Sequence, residues 1–272
     1  MNAGLKRASL KRAGLKRAGQ ALVRLYPMGI SLLWKAPLVL ALVVVPEFLQ
    51  HVAEIQLGMF GDKAQRMAAG TSSTRMAFGY AKVAGLVLTF LAAARYWAAE
   101  ERGVPWYRLS DVAWGRFALG FLLFGLLPVL PVLFVAQIGK SNADIMGIVI
   151  TIVLLPAMFL LLAGLFGDRT TSVRAMWLRS WPWAVLTALL LVLAFMPAQW
   201  LHGKNHDWAF GAQPAIVWAL MIFDSILVGL LAGLTGTAFY LGYAAFRDTV
   251  APVQPAAVVS PNPNLDPLPT VA

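Results

Sequence analysis

The chain has 272 residues, 60% of them hydrophobic and 12% charged, with a net charge of +10 and no cysteine. Soluble domains carry about 25% charged residues, so this composition excludes an ordinary soluble globule. The missing cysteine excludes disulfides, thiolate metal sites and cysteine nucleophiles.

The apolar residues are gathered into six long stretches. Crossing a bilayer core of ~30 Å takes about 20 helical residues. Alternating strand patterns are absent, so the predicted fold is all-α: a polytopic membrane bundle of six transmembrane helices rather than a barrel. Three parts follow: a basic cytoplasmic arm and interfacial segment over 1–33, a six-span membrane domain over 34–246, and a Pro-rich disordered tail over 247–272.

Residues 4–18 repeat a five-residue unit, Gly or Ser followed by Leu-Lys-Arg-Ala. A period of five drifts around a helix of 3.6 residues per turn, so charge and not an apolar face should govern its binding. Lys6, Arg7, Lys11, Arg12, Lys16 and Arg17 are expected to lie on anionic lipid at a cytoplasmic surface. Basic residues beside membrane spans point to lipid and topology, not to nucleic acid.

Span 1 is expected from Trp34 to Ile55, with Pro37 in its first turn. Its end carries Glu47, Gln50, His51 and Glu54 at i, i+3, i+4 and i+7, which share one helix face. A polar stripe in a membrane helix needs protein, water or the membrane surface beside it. A polar loop follows over 56–75. Span 2 runs from about Met76 to Ala98 with Lys82 inside, span 3 from Trp114 to Gln137 with Pro128 and Pro131, and span 4 from Ala143 to Phe166 with Pro156. Asp111 is expected to cap span 3. Between spans 4 and 5, Thr171 or Ser172 caps a short helix whose Arg174 and Arg179 can meet lipid phosphates. Span 5 covers Trp181 to Trp200. Span 6 covers Pro214 to Phe246, with Asp224 and the packing glycines Gly229, Gly233 and Gly236.

Sixteen of the 22 Lys and Arg fall on 1–35, 95–116, 167–180 and the tail, against five on the other loops. This split favours both termini in the cytoplasm and an even number of spans. Trp114 and Pro128, Trp183 and Pro197, and Trp34 and Pro46 recur at similar spacing, which suggests three stacked hairpins.

The capped basic helix leading through Arg179-Ser180-Trp181 into span 5, within a six-span layout, resembles a broad set of bacterial six-helix inner-membrane proteins. That set includes the membrane domain attached to some glycerophosphodiester phosphodiesterases. The resemblance implies a multi-pass accessory or anchoring domain of a bacterial inner membrane, with no catalytic residues to carry over.

At 1.5 Å per residue, Glu47, His51, Lys82 and Asp224 reach similar depths in the outer half of the bundle. They are expected to form an intramembrane polar cluster, with Lys82 opposite Glu47 or Asp224. His202, His206 and Asp207 are a further candidate metal set, but Gly203 and Asn205 favour a turn there, so no metal is expected. No phosphate loop, metalloprotease motif or serine elbow is present. No catalytic residue or cofactor is therefore assigned. Two functions remain: an accessory or scaffold protein that organises lipid, a membrane-protein partner or its own oligomer, and a small transporter or channel-like permease that uses the polar cluster.

Overall fold

The computed structural model describes residues 3–250, with side chains from residue 12 onward. The predicted tail beyond Val250, and the side chains of Lys6, Arg7 and Lys11, lie outside the described residues. The described residues are helical and contain no strand.

Helix α1 (Ala3–Lys35) leads directly into α2 (Pro37–Gln56), with a break at Ala36. A short α3 (Lys63–Gly70) follows, capped by the Asp62 carboxylate, which accepts from the Gln65 N–H at 2.9 Å. The segment expected to be a loop over 56–75 therefore carries a helix. Next come α4 (Ser73–Glu101), α5 (Trp114–Gly120), α6 (Val135–Ile138), α7 (Lys140–Val153) and α8 (Ala157–Phe166). The last elements are α9 (Val173–Arg179), α10 (Trp181–Ala209) and α11 (Pro214–Val250).

Five helical segments are long and apolar enough to cross a membrane: α2, α4, Trp114–Ile138, α10 and α11. A sixth is formed if α7 and α8, bent by 60° at their junction, count as one span. Pro156 marks that bend. Pro128 and Pro131 leave their own mark: Trp114–Ile138 opens into a π turn over Phe121–Leu126 and a 3-10 stretch over Leu127–Phe134. Proline supplies no N–H, so the α ladder cannot run through it. Outward-facing Ile145, Ile148, Val149 and Ile152 on α7, with Val185, Leu189 and Val192 on α10, form the apolar exterior that lipid requires.

The helices pair as hairpins, α2 with α4, α5 with α8, and α10 with α11. Helix α11 is the central post, touching α1, α2, α4, α8 and α10. Its glycines explain how so many neighbours approach. A side chain at Gly229 would meet Val44, at Gly233 it would meet Leu40 and Leu32, and at Gly236 it would meet Ala93 and the Phe90 carbonyl. All three glycines therefore pack within the chain.

The pentad repeat of α1 ends near residue 18. From there a 3.6-residue stripe begins: Ala21, Leu25, Gly29, Leu32 and Ala36 are buried, and a side chain at Gly29 would clash with Leu234 of α11. The N-terminal helix thus joins the bundle over its second half. In its first half Arg12 and Lys16 are exposed and Leu15 is 74% exposed.

One end of the bundle is bound together by charge. Lys35 pairs with Glu100 at 3.0 Å, and Arg247 grips Glu101 in two bonds of 2.8 and 2.9 Å. Buried Arg95 donates to the backbone carbonyls of Trp106, Leu165 and Arg108. Ser172 caps α9, its Oγ accepting from the Ala175 N–H, and leaves Arg174 and Arg179 exposed. Asp111 does not cap α5. It lies in a 3-10 turn beside Arg108 at 3.3 Å, while the Ala113 N–H at the start of α5 donates to the Gly164 carbonyl. Helices α5 and α8 cross so closely there that backbone meets backbone.

Asp168, just after α8, accepts from Thr170, Thr171 and the Tyr243 hydroxyl of α11. Burial pushes its carboxyl toward the neutral form, but the hydrogen bonds from Tyr243, Thr171 and Thr170 win and hold it well below the usual carboxylate range. A depressed folded value means that this stability is present above the unfolded value of ~3.9 and fades as pH falls through and below it. Asp168→Asn is expected to cost about 1–3 kcal/mol near neutral pH. The gap to wild type should narrow as pH drops below about 4. Thermal unfolding in detergent between pH 7 and 3 reads this; a gap that stays constant across the range counts against it.

Candidate functional site

The polar stripe of α2 is placed by the proline before it. Pro46 removes the donor that the Leu42 carbonyl would otherwise receive. At that level α4 passes so close that a side chain on Gly85 would strike the Leu42 carbonyl. Thr89 of α4 also reaches the Val39 carbonyl at 3.3 Å. The tight crossing sets the α4 residues above it, Lys82 and Arg75, against the α2 stripe.

Glu47, His51, Glu54 and Asp224 are all 0% exposed, and Gln50 is buried beside them. Two carboxylates have fixed cationic partners. Lys82 Nζ lies 3.1 Å from Glu47 Oε2 and 3.4 Å from its Oε1. Arg75 Nε donates to Glu54 Oε1 at 2.8 Å, and Gln50 Nε2 donates to the same oxygen at 2.9 Å. Of the two acids proposed for it, Lys82 takes Glu47.

Asp224 is different. Among the described residues it has no lysine or arginine partner. Its Oδ2 receives His202 Nδ1 at 2.6 Å and His51 Nε2 at 3.1 Å, and His206 Nε2 stands 3.8 Å away. Its Oδ1 accepts from Asn205 Nδ2 at 2.7 Å. All three histidines of the chain therefore converge on one carboxylate. The rings of His202 and His206 are 4.9 Å apart, and those of His51 and His206 are 5.3 Å apart.

His51 joins the two halves of this cluster. Its Nδ1 contacts Glu54 Oε2 at 2.9 Å, and its Nε2 lies between Glu47 Oε1 at 3.2 Å and Asp224 Oδ2 at 3.1 Å. Each ring nitrogen faces carboxylate oxygen. That arrangement is satisfied by a proton on each nitrogen, or by a metal ion at Nε2.

Three carboxylates against two fixed cations leave the cluster one positive charge short when the imidazoles are neutral. Among the described residues, four buried side-chain atoms lack a hydrogen-bond partner, and three belong here: Glu47 Oε2, Gln50 Oε1 and Asn205 Oδ1. The first still touches Lys82 as an ion pair. The two amide oxygens have nothing. Their orientation is settled by chemistry, since flipping either amide would set its oxygen against a carboxylate.

Every residue of the predicted cluster (Glu47, Gln50, His51, Glu54, Lys82 and Asp224) is found in this one assembly. Reading the sequence missed Arg75 and Asn205 and misread the segment around His202. Helix α10 runs on to Ala209 instead of turning after Trp200, so His202 and His206 share a face at i and i+4. Asn205, with its side chain inward, fits the helix despite its turn preference because Asp224 accepts from its Nδ2. Asp207 stays outside the cluster, exposed and 3.2 Å from Lys204. The missed signal was spacing: His202, Asn205 and His206 repeat the i, i+3, i+4 pattern already recognised on α2.

Comparison with protein-family models, curated proteins and solved structures finds no match. The sequence resemblance to six-helix inner-membrane proteins therefore assigns no family.

Proposed function

We propose that the chain is a small multi-pass membrane permease that handles a cation at the Asp224 centre. In this reading it crosses a bacterial inner membrane six times with both ends in the cytoplasm. The positively charged helix ends then face the cytoplasm, and the cluster lies in the outer half of the bilayer. The observation that carries the reading is the isolation of Asp224. An ionised carboxylate buried without a fixed counter-charge is costly, and intramembrane carboxylates facing a bundle interior mark ion pathways. Among the described residues no lysine or arginine supplies the balancing cation, so it is exchangeable: a proton on an imidazole or a bound metal ion.

Purified protein in liposomes, under an imposed proton or divalent-cation gradient, tests this with internal dyes. Wild type is expected to dissipate at least one gradient, and Asp224→Asn to slow it at least tenfold at equal reconstitution. Flux equal in the two proteins, or wild type no faster than empty liposomes, removes the proposal.

A second reading, an accessory protein that organises lipid or a partner, is favoured by α1. Its exposed Arg12 and Lys16 suit an anionic leaflet. Wild-type protein inert toward every cation would leave this reading standing.

A further inference from the structure

Three imidazoles around one carboxylate do not suit every cation equally. Alkali and alkaline-earth ions are held by oxygen ligands, whereas imidazole with carboxylate suits zinc, nickel, cobalt and copper. Resting on the cation-handling reading above, we propose that the cluster binds a divalent transition-metal ion through the triad His51, His206 and Asp224, with His202 held on the same carboxylate.

The spacing supports a single ion. Bonds of about 2.0–2.1 Å in a tetrahedral site place neighbouring ligand atoms roughly 3.3–3.4 Å apart. Within the triad, the His51 and His206 Nε2 atoms stand 3.1 and 3.8 Å from Asp224 Oδ2, which brackets that value, whereas His202 Nδ1 at 2.6 Å makes a hydrogen bond to it. Two overlapping triads have ligand atoms mutually within 4.8 Å: His51 with His206 and Asp224, and Glu47 with His202 and Asp224. Both contain Asp224, so it is the shared anchor, and Glu47 with His202 is the alternative pair of ligands beside it.

The surrounding groups also fit. A metal-binding histidine usually gives its other N–H to a carboxylate, which fixes the tautomer and the ring orientation. Glu54 does this for His51 at Nδ1 and is itself held by Arg75 and Gln50. Asn205 does the equivalent for Asp224, holding Oδ1 and leaving Oδ2 to the histidines. The ligands come from α2, α10 and α11, so the ion would tie three helices together.

The test uses the full chain in detergent, stripped with a chelator and titrated with Co2+, then with Zn2+ as competitor. The expected result is one Co2+ per chain, with the visible absorption of a tetrahedral site, displaced by Zn2+. The double variant His202→Gln/His206→Gln should bind at least 100-fold more weakly. Glu54→Gln, which alters the support of His51 without removing a ligand, should weaken binding about 10–100-fold. Asp207→Asn, in the exposed acid nearby, should match wild type. Circular dichroism and gel filtration confirm that each variant is folded. Wild type without a Co2+ spectrum, or a spectrum unchanged in the folded Glu54→Gln and double variants, overturns the assignment. Asp224-dependent flux without Co2+ or Zn2+ binding overturns the metal but leaves the permease. Stoichiometric binding without flux supports the metal site and removes the permease.

Discussion

Asp224→Ala is expected to destabilise the protein by about 3–5 kcal/mol, the usual consequence of removing one partner from a buried charged network. The carboxylate accepts from two imidazoles and one amide, with a third imidazole 3.8 Å away. Its loss leaves Asn205 with neither amide atom bonded, since its Oδ1 is already unpaired. It also leaves three imidazoles crowded together with no anion between them. Helices α10 and α11, which pack along much of their lengths, should lose their tie at this end. Equilibrium unfolding in mixed micelles measures the change. A loss below 1 kcal/mol would show that the cluster adds little to the bundle.

Lys82→Met should cost about 3 kcal/mol, because Glu47 is fully buried and would keep only His51 Nε2, at 3.2 Å, as a partner. Chemistry predicts the rescue. Glu47→Gln in the same chain removes the stranded charge and should restore most of the loss, with a coupling of about 2 kcal/mol in a double-mutant cycle. If Lys82→Met folds and accumulates in the membrane like wild type, the ion pair is not what holds α4 to α2. A double variant no better than the single one leads to the same conclusion.

Much of this was legible in the sequence because membranes impose a coarse grammar. Apolar length marked the helices of α2, α4, α10 and α11 to within a few residues at the ends that composition defines. Helical spacing and depth together brought Glu47, His51, Lys82 and Asp224 to one level. The failures share a cause: hydropathy marks where a chain is oily, not where a helix stops. Polar residues after Trp200 suggest that span 5 ends there and that the histidine pair forms a turn, yet α10 continues through them. In the same way hydropathy places Arg75 in a loop, although α4 starts before it. The path of Trp114–Ile138 was hidden for a different reason. Prolines announce a disturbance, but whether the backbone answers with a kink, a π turn or a 3-10 stretch depends on what packs against it. Helix α1 shows the converse. Its first half is repetitive and conspicuous, while the part that packs, from Ala21 onward, has an ordinary amphipathic stripe.

The way charges are shared between hairpins bears on how such a chain can be made. Glu47 and Glu54 find Lys82 and Arg75 within the α2–α4 pair, and Asp224 finds His202 and Asn205 within the α10–α11 pair. The α2–α4 pair can therefore leave the insertion machinery with its ionic cargo matched long before α10 and α11 are made, and the later pair brings most of its own partners with it. Among the described ion pairs of this cluster, His51 alone reaches across. Its meeting with Asp224 is a late event, a latch that closes when the final helix arrives and reports that the two hairpins have found each other.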